Sequence, residues 1–168
     1  MEDFGNEKVD FGGIVGILAK AEQAGMALMA LVSCKGTETF DPRTLEQSSV
    51  ETLSSEVTMR LSQETFQSVP AELSLVITNH TGAAYSYGTE YHLEVCLDDQ
   101  WYILPADEEL YFTSIGVQLQ PDGINSEKIS PEEYREHLPA GRYRVVKEFY
   151  SAGQEITAAA EFSIAQQS

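Results

Sequence analysis

The segment Leu138-Pro139-Ala140-Gly141-Arg142-Tyr143-Arg144-Val145-Val146-Lys147 constrains the fold more than any other stretch of this chain. Pro139 and Gly141 set a turn, and the tyrosine that follows opens a strand just ahead of the C-terminal one. A tyrosine at that place in a two-sheet β-sandwich donates its hydroxyl to the backbone a few residues upstream and pins the corner between the sheets. Tyr143 is therefore expected to be a structural corner residue, and the chain to be all-β where it is globular.

The residues upstream supply strands for such a sandwich. Val57, Met59 and Leu61 alternate with Thr58, Arg60 and Ser62, and Leu73, Leu75 and Ile77 alternate with Ser74, Val76 and Thr78. This period of two is that of a half-buried strand. Asn79-His80-Thr81-Gly82 ends the second strand, and Tyr85 to Leu97 resumes with Tyr91, Leu93, Val95 and Leu97 on one face. Asp98-Asp99-Gln100 then turns the chain into Trp101-Tyr102-Ile103-Leu104, a hairpin. Leu110-Tyr111-Phe112 and Ile115 to Leu119 read as one or two short strands before the Pro121-Asp122-Gly123 turn. Ser130-Pro131-Glu132-Glu133-Tyr134 fits a short helical turn with Ser at the N-cap and Pro at the first position. Placed there, it links the two sheets. Arg142 to Tyr150, the turn Ser151-Ala152-Gly153-Gln154, and Glu155 to Ile164 make the closing hairpin, with Ile156, Ala158, Ala160, Phe162 and Ile164 sharing a face. About seven short strands at this spacing predict a Greek-key sandwich over roughly residues 56–165.

A chain of 168 residues with 42% hydrophobic content holds one ordinary core without metals or disulfide staples. Its 27 acidic side chains against 10 basic ones give a net charge of −17. That field repels phosphate backbones, so no nucleic-acid partner is expected. The two cysteines, Cys34 and Cys96, exclude a disulfide-dense scaffold. Cys96 shares a strand face with His92 and Glu94, opposite the apolar face, so an inter-sheet disulfide through it is not expected.

The N-terminal part differs in kind. Residues 12–19 and 26–32 are apolar runs separated by Lys20, Glu22 and Gln23, and neither reaches the roughly 18 to 20 residues that cross a bilayer as a helix. The second run ends in Leu31-Val32-Ser33-Cys34, which resembles the lipobox of bacterial lipoproteins, where cleavage precedes a lipidated cysteine. Glu2, Asp3, Glu7 and Asp10 make the leader acidic where export signals are basic. Two readings stand. In one, residues 1–33 are an export signal and Cys34 carries a lipid on the extracytoplasmic face. In the other, residues 9–32 form an amphipathic or core-seeking helix of a cytoplasmic protein that docks on the sandwich or on a partner, and Cys34 is an ordinary thiol. Residues 34–55, rich in Ser, Thr and Glu, read as a linker.

The globular part resembles the small bacterial immunoglobulin-like domain found in surface proteins and lipoproteins of Gram-positive bacteria. The resemblance is carried by Val57 to Leu61, Leu75 to Thr81, Tyr87 to Glu94, Trp101 to Pro105, Leu138 to Lys147 and Ala160 to Ile164. It implies a non-catalytic extracytoplasmic module for adhesion, spacing or binding, in many cases behind a lipobox.

Few residues suggest chemistry. His80, His92 and His137 have no zinc-ligand spacing, and no metal or cofactor is expected. Asp98-Asp99 and Asp107-Glu108-Glu109 lack calcium-loop spacing. His92, Glu94 and Cys96 are read as a solvated strand face rather than a reactive cluster. Trp101 is expected to pack between the sheets or against its hairpin. Several of Tyr85, Tyr87, Tyr102, Tyr111 and Tyr150 have outward parity, without the contiguity that defines a patch. The expected partners are a protein or a glycan, with membrane attachment only through Cys34, and the chain is expected to be a monomer. An accessory glycan-binding or small-ligand-binding role is the second functional class.

Overall fold

In a computed structural model, the structure is described for residues 39–112 and 115–166. The segment 1–33 and Cys34 therefore lie outside the described residues.

Among the described residues, eleven strands build two sheets. Strands β2 (Val57–Leu61), β4 (Leu73–Asn79) and β9 (Ile124–Ile129) form the smaller sheet in the order β2-β4-β9. The larger sheet runs β1 (Glu46–Gln47), β7 (Gln100–Ile103), β6 (His92–Leu97), β10 (Gly141–Ser151), β11 (Gln154–Ile164) and β3 (Thr65–Phe66), with β5 (Tyr85–Tyr87) paired to β10 and β8 (Val117–Leu119) paired to β5. The short helix α1 (Pro131–Tyr134) carries the chain from β9 in one sheet to β10 in the other. This is the expected immunoglobulin-like sandwich.

The alternation read from the sequence is what faces the sheets inward. Val57, Met59 and Leu61 from β2 and Leu73, Leu75 and Ile77 from β4 meet Leu93, Val95, Tyr143, Val145, Phe149, Ala158, Ala160 and Phe162 from the larger sheet. Each fully buried aliphatic or aromatic side chain of this kind contributes roughly 1.5–3 kcal/mol relative to exposure. Two-residue turns close the hairpins. Asp98 (φ 49) and Asp99 (φ 61) join β6 to β7, and Ala152 (φ 47) and Gly153 (φ 81) join β10 to β11. Paired positive φ values are the primed turns that match strand twist. The tyrosine corner is formed by the Tyr143 hydroxyl, which donates to the Pro139 carbonyl at 2.5 Å while the ring stacks on Phe162.

Four details depart from the sequence expectations. The expected linker is, over residues 40–55, part of the sandwich: Phe40 and Leu45 pack on the core, and β1 pairs with β7 at Glu46↔Ile103 and Gln47↔Tyr102. An open strand edge at β7 is thereby covered, and covering an edge satisfies its free backbone groups. The single run expected from Tyr85 to Leu97 is split into β5 and β6. Of the described residues between 110 and 119, only Val117–Leu119 forms a strand. Ser130 occupies the N-cap position of α1 without a side-chain cap bond, so Pro131 and the turn geometry set the helix start.

Candidate functional site

The break between β5 and β6 is where the surface becomes concave. On β10, Val146 pairs with His92 and Tyr150 with Ser86, so positions four apart on one chain face positions six apart on the other. The two surplus residues force the chain from Gly88 to Tyr91 to bow away, as a bulge does on a larger scale. A groove of about 260 Å³ opens between that bow and β10, lined by Gly88, Glu90, Tyr91, His92, Phe112 and Tyr150, with Val146 to Glu148 as its floor.

Tyr91 and Phe112 also line a second concavity of about 380 Å³, which reaches Tyr111, Glu127, Lys128 and Glu133. The wall shared by the two is rigid. Tyr91 packs edge-on against Phe112 at 5.5 Å and against Tyr134 at 5.7 Å, and its hydroxyl donates to the Ser130 carbonyl at 3.1 Å. Burial pushes its phenol up to about 12 against the opposing effect of that bond, so it stays neutral. At the far end Tyr150 is 43% exposed and donates to Glu148 Oε2 at 2.6 Å. Its hydroxyl is likewise held at about 12, chiefly by that carboxylate.

A buried ion pair connects the two floors. Lys147 points between the sheets with its side chain 1% exposed, and its Nζ lies 2.7 Å from Glu127 Oε1 on β9 and 5.4 Å from the centre of the Tyr87 ring. Neither atom has a further hydrogen-bond partner.

On the outer face of the same sheet, His92 leads to a second charged cluster. Glu94 Oε2 accepts from Arg144 Nε at 2.6 Å and pairs with Nη2 at 2.5 Å, while Oε1 accepts from the Ser48 hydroxyl at 2.6 Å and lies 3.0 Å from His92 Nε2. Burial raises the Glu94 carboxyl, but the bonds from His92, Ser48 and Arg144 together with the Arg144 charge outweigh it and hold the group below its ordinary value. The guanidinium in turn lies 4.4 Å from the centre of the Trp101 ring. This corrects two expectations. The His92/Glu94/Cys96 face is not solvated at Glu94, whose side chain is fully buried beneath its bonds to Ser48 and Arg144. Of the two placements expected for Trp101, the one between the sheets fails: the ring stacks on Arg144 outside the inter-sheet core, because its strand parity matches that of Cys96, its register partner within the hairpin. Cys96 itself is a half-buried free thiol.

The other candidate residues do not converge. His80 bonds Thr58 at 2.8 Å, Asp98 and Asp99 form a turn, and Asp107 pairs with Arg135 at 3.2 Å. Among the described residues no three of His, Cys, Asp and Glu are grouped so as to hold a metal ion. Tyr85 and Tyr87 are buried, whereas Tyr111 and Tyr150 are exposed. The groove had one sequence signal, Gly88 within an otherwise strand-like run, since an interior glycine marks a bulge or bend.

Comparison with known proteins gives a family and two distant structural matches. The family model described as bacterial Ig-like domain matches residues 53–163. Among solved structures, the chain is similar to the periplasmic chaperone SfaE at 15% identity and a TM-score of 0.41, over 67% of this chain and 57% of that one. It is also similar to Pseudomonas fluorescens alkylpurine DNA glycosylase AlkC bound to DNA containing an abasic site analog, at 13% identity and a TM-score of 0.33, over 66% of this chain and 31% of that one. The chain thus spans less than two thirds of either. No curated protein matches the sequence.

Proposed function

This chain belongs to the bacterial Ig-like domain family, and from that premise we propose that it is a non-enzymatic binding module on the bacterial cell surface, held there by a lipid on Cys34. Domains of this family are typically extracellular or surface-associated and generally non-catalytic. The observation that carries the reading is how the charged groups of the sandwich are used. Glu94 is saturated by three partners, and Lys147 and Glu127 neutralise each other. A carboxylate held ionised with its oxygens occupied is a poor proton carrier. The Tyr91, Phe112 and Tyr150 rings, by contrast, face concave surface, as in a recognition site.

Anchoring is supported by Leu31-Val32-Ser33-Cys34 at the end of an apolar run. Metabolic labelling of the producing cells with a palmitate analogue tests it. The native chain takes up label and fractionates with membranes, and Cys34→Ala does neither. An unlabelled, unprocessed chain in the cytosol overturns the location.

A further inference from the structure

We propose, resting on the binding-module reading above, that the two grooves either side of Tyr91 form one binding site for a neutral oligosaccharide, with one pyranose ring in each. Two observations select that class. The first is the mixture of groups. Sugar rings present an apolar C–H face and a rim of hydroxyls, and here the Tyr91, Phe112 and Tyr150 rings stand beside Glu90, Glu148 and Glu133, which accept hydroxyl protons.

The second is charge. Carboxylates line both grooves of a chain with net charge −17, so sulfated, phosphorylated or uronic-acid ligands are repelled at the site and over the whole surface. Cavities of about 260 and 380 Å³ lie near the small end of ligand sites, which run to about 300–1,000 Å³, and this size suits a single ring in each.

An extended peptide is the competing occupant, because β10, paired with β11 on one side throughout, has no strand partner on the β5/β6 side between Val146 and Tyr150. It is disfavoured: the open edge is short, and the bow from Gly88 to Tyr91 lines the groove along it.

The test is titration of the full chain, by calorimetry and by saturation-transfer NMR, with chitobiose, cellobiose and maltose as neutral probes. A sulfated disaccharide and a Lys-rich peptide complete the panel. The expected result is saturable binding of at least one neutral disaccharide, weakened about tenfold or more by Tyr150→Ala, the magnitude of losing an aromatic anchor. Tyr150 is partly exposed and outside the core, so Tyr150→Ala leaves the fold intact; Glu148→Gln provides a second, isosteric variant. Failure of all three neutral probes overturns the proposal, as does binding of the peptide instead, or sugar binding indifferent to both Tyr150→Ala and Glu148→Gln. Sugar binding by a chain that takes no lipid label overturns the surface location alone, and lipid label without sugar binding overturns the groove alone.

Discussion

Lys147 of β10 and Glu127 of β9 meet at 2.7 Å across the space between the two sheets, one side chain 1% and the other 19% exposed. A charge placed on the inner face of a strand is costly unless it is paired, and pairing it from the opposite sheet makes each residue the condition for the other. Removing one partner should therefore be worse than removing both. Lys147→Met is expected to destabilise by about 2–3 kcal/mol, discounted from the fully buried case for the exposure of Glu127, and Lys147→Met with Glu127→Leu to recover most of that loss. Urea denaturation of the single and double variants measures it, and equal losses in the two would show that the pair is not coupled.

The corner bond is a second, independent handle on stability. Tyr143→Phe keeps the ring on Phe162 and deletes only the donor to Pro139. The expected cost is about 1 kcal/mol or more, because the Pro139 carbonyl loses its hydroxyl donor. A denaturation midpoint equal to that of the native chain would remove the corner from the list of stabilising contacts.

Acid should act through Glu94. Its folded-state carboxyl is held below the ordinary value, about 4.3. The stabilisation it gives is thus fully present above that ordinary value and is lost as the pH falls through the lower folded value. Glu94→Gln leaves the Arg144 charge buried without its counter-ion and is expected to cost about 2–3 kcal/mol at pH 7. Stability curves of the native chain and the variant, followed by thermal melts from pH 7 to pH 2, should converge at the acid end. Parallel curves would mean that Glu94 does not titrate with unfolding.

Residues before the family match should matter to the fold. A chain beginning at residue 53 lacks Phe40, Leu45, β1 and the Ser48 hydroxyl that closes over Glu94. It is expected to melt below a chain beginning at residue 39, and Ser48→Ala within the longer chain to cost about 1.5–3 kcal/mol, the value of a hydrogen bond to a charged group. Indistinguishable melting of the two lengths would return residues 39–52 to the status of a tether.

The strands that were legible are those whose inner faces are apolar. Val57 to Leu61, Leu73 to Thr78 and Ile156 to Ile164 announce their period in the sequence, and the structure places them accordingly. Strand β9 was not legible, because its inward positions are Asn125, Glu127 and Ile129. Asn125 bonds the Tyr87 hydroxyl at 3.1 Å and Glu127 pairs with Lys147, so polar partners on other elements replace the apolar signal. Strand β1 was hidden for a different reason. Two exposed residues carry no period, and only the free edge of β7 makes them a strand.

The same distinction divides the site. That Glu94 lies on the face opposite Leu93 and Val95 follows from parity, a property of one strand. That it is buried depends on Ser48, which is 46 residues away in sequence, and on Arg144, which is 50 away. The groove arises from a mismatch in register between two segments and β10, and register exists only once strands have paired. The sequence by itself determined the class of the fold, because period, turn chemistry and net charge are local or summed quantities. Tertiary structure alone decided which charges are neutralised and where the surface is concave, because both depend on distances between residues far apart along the chain.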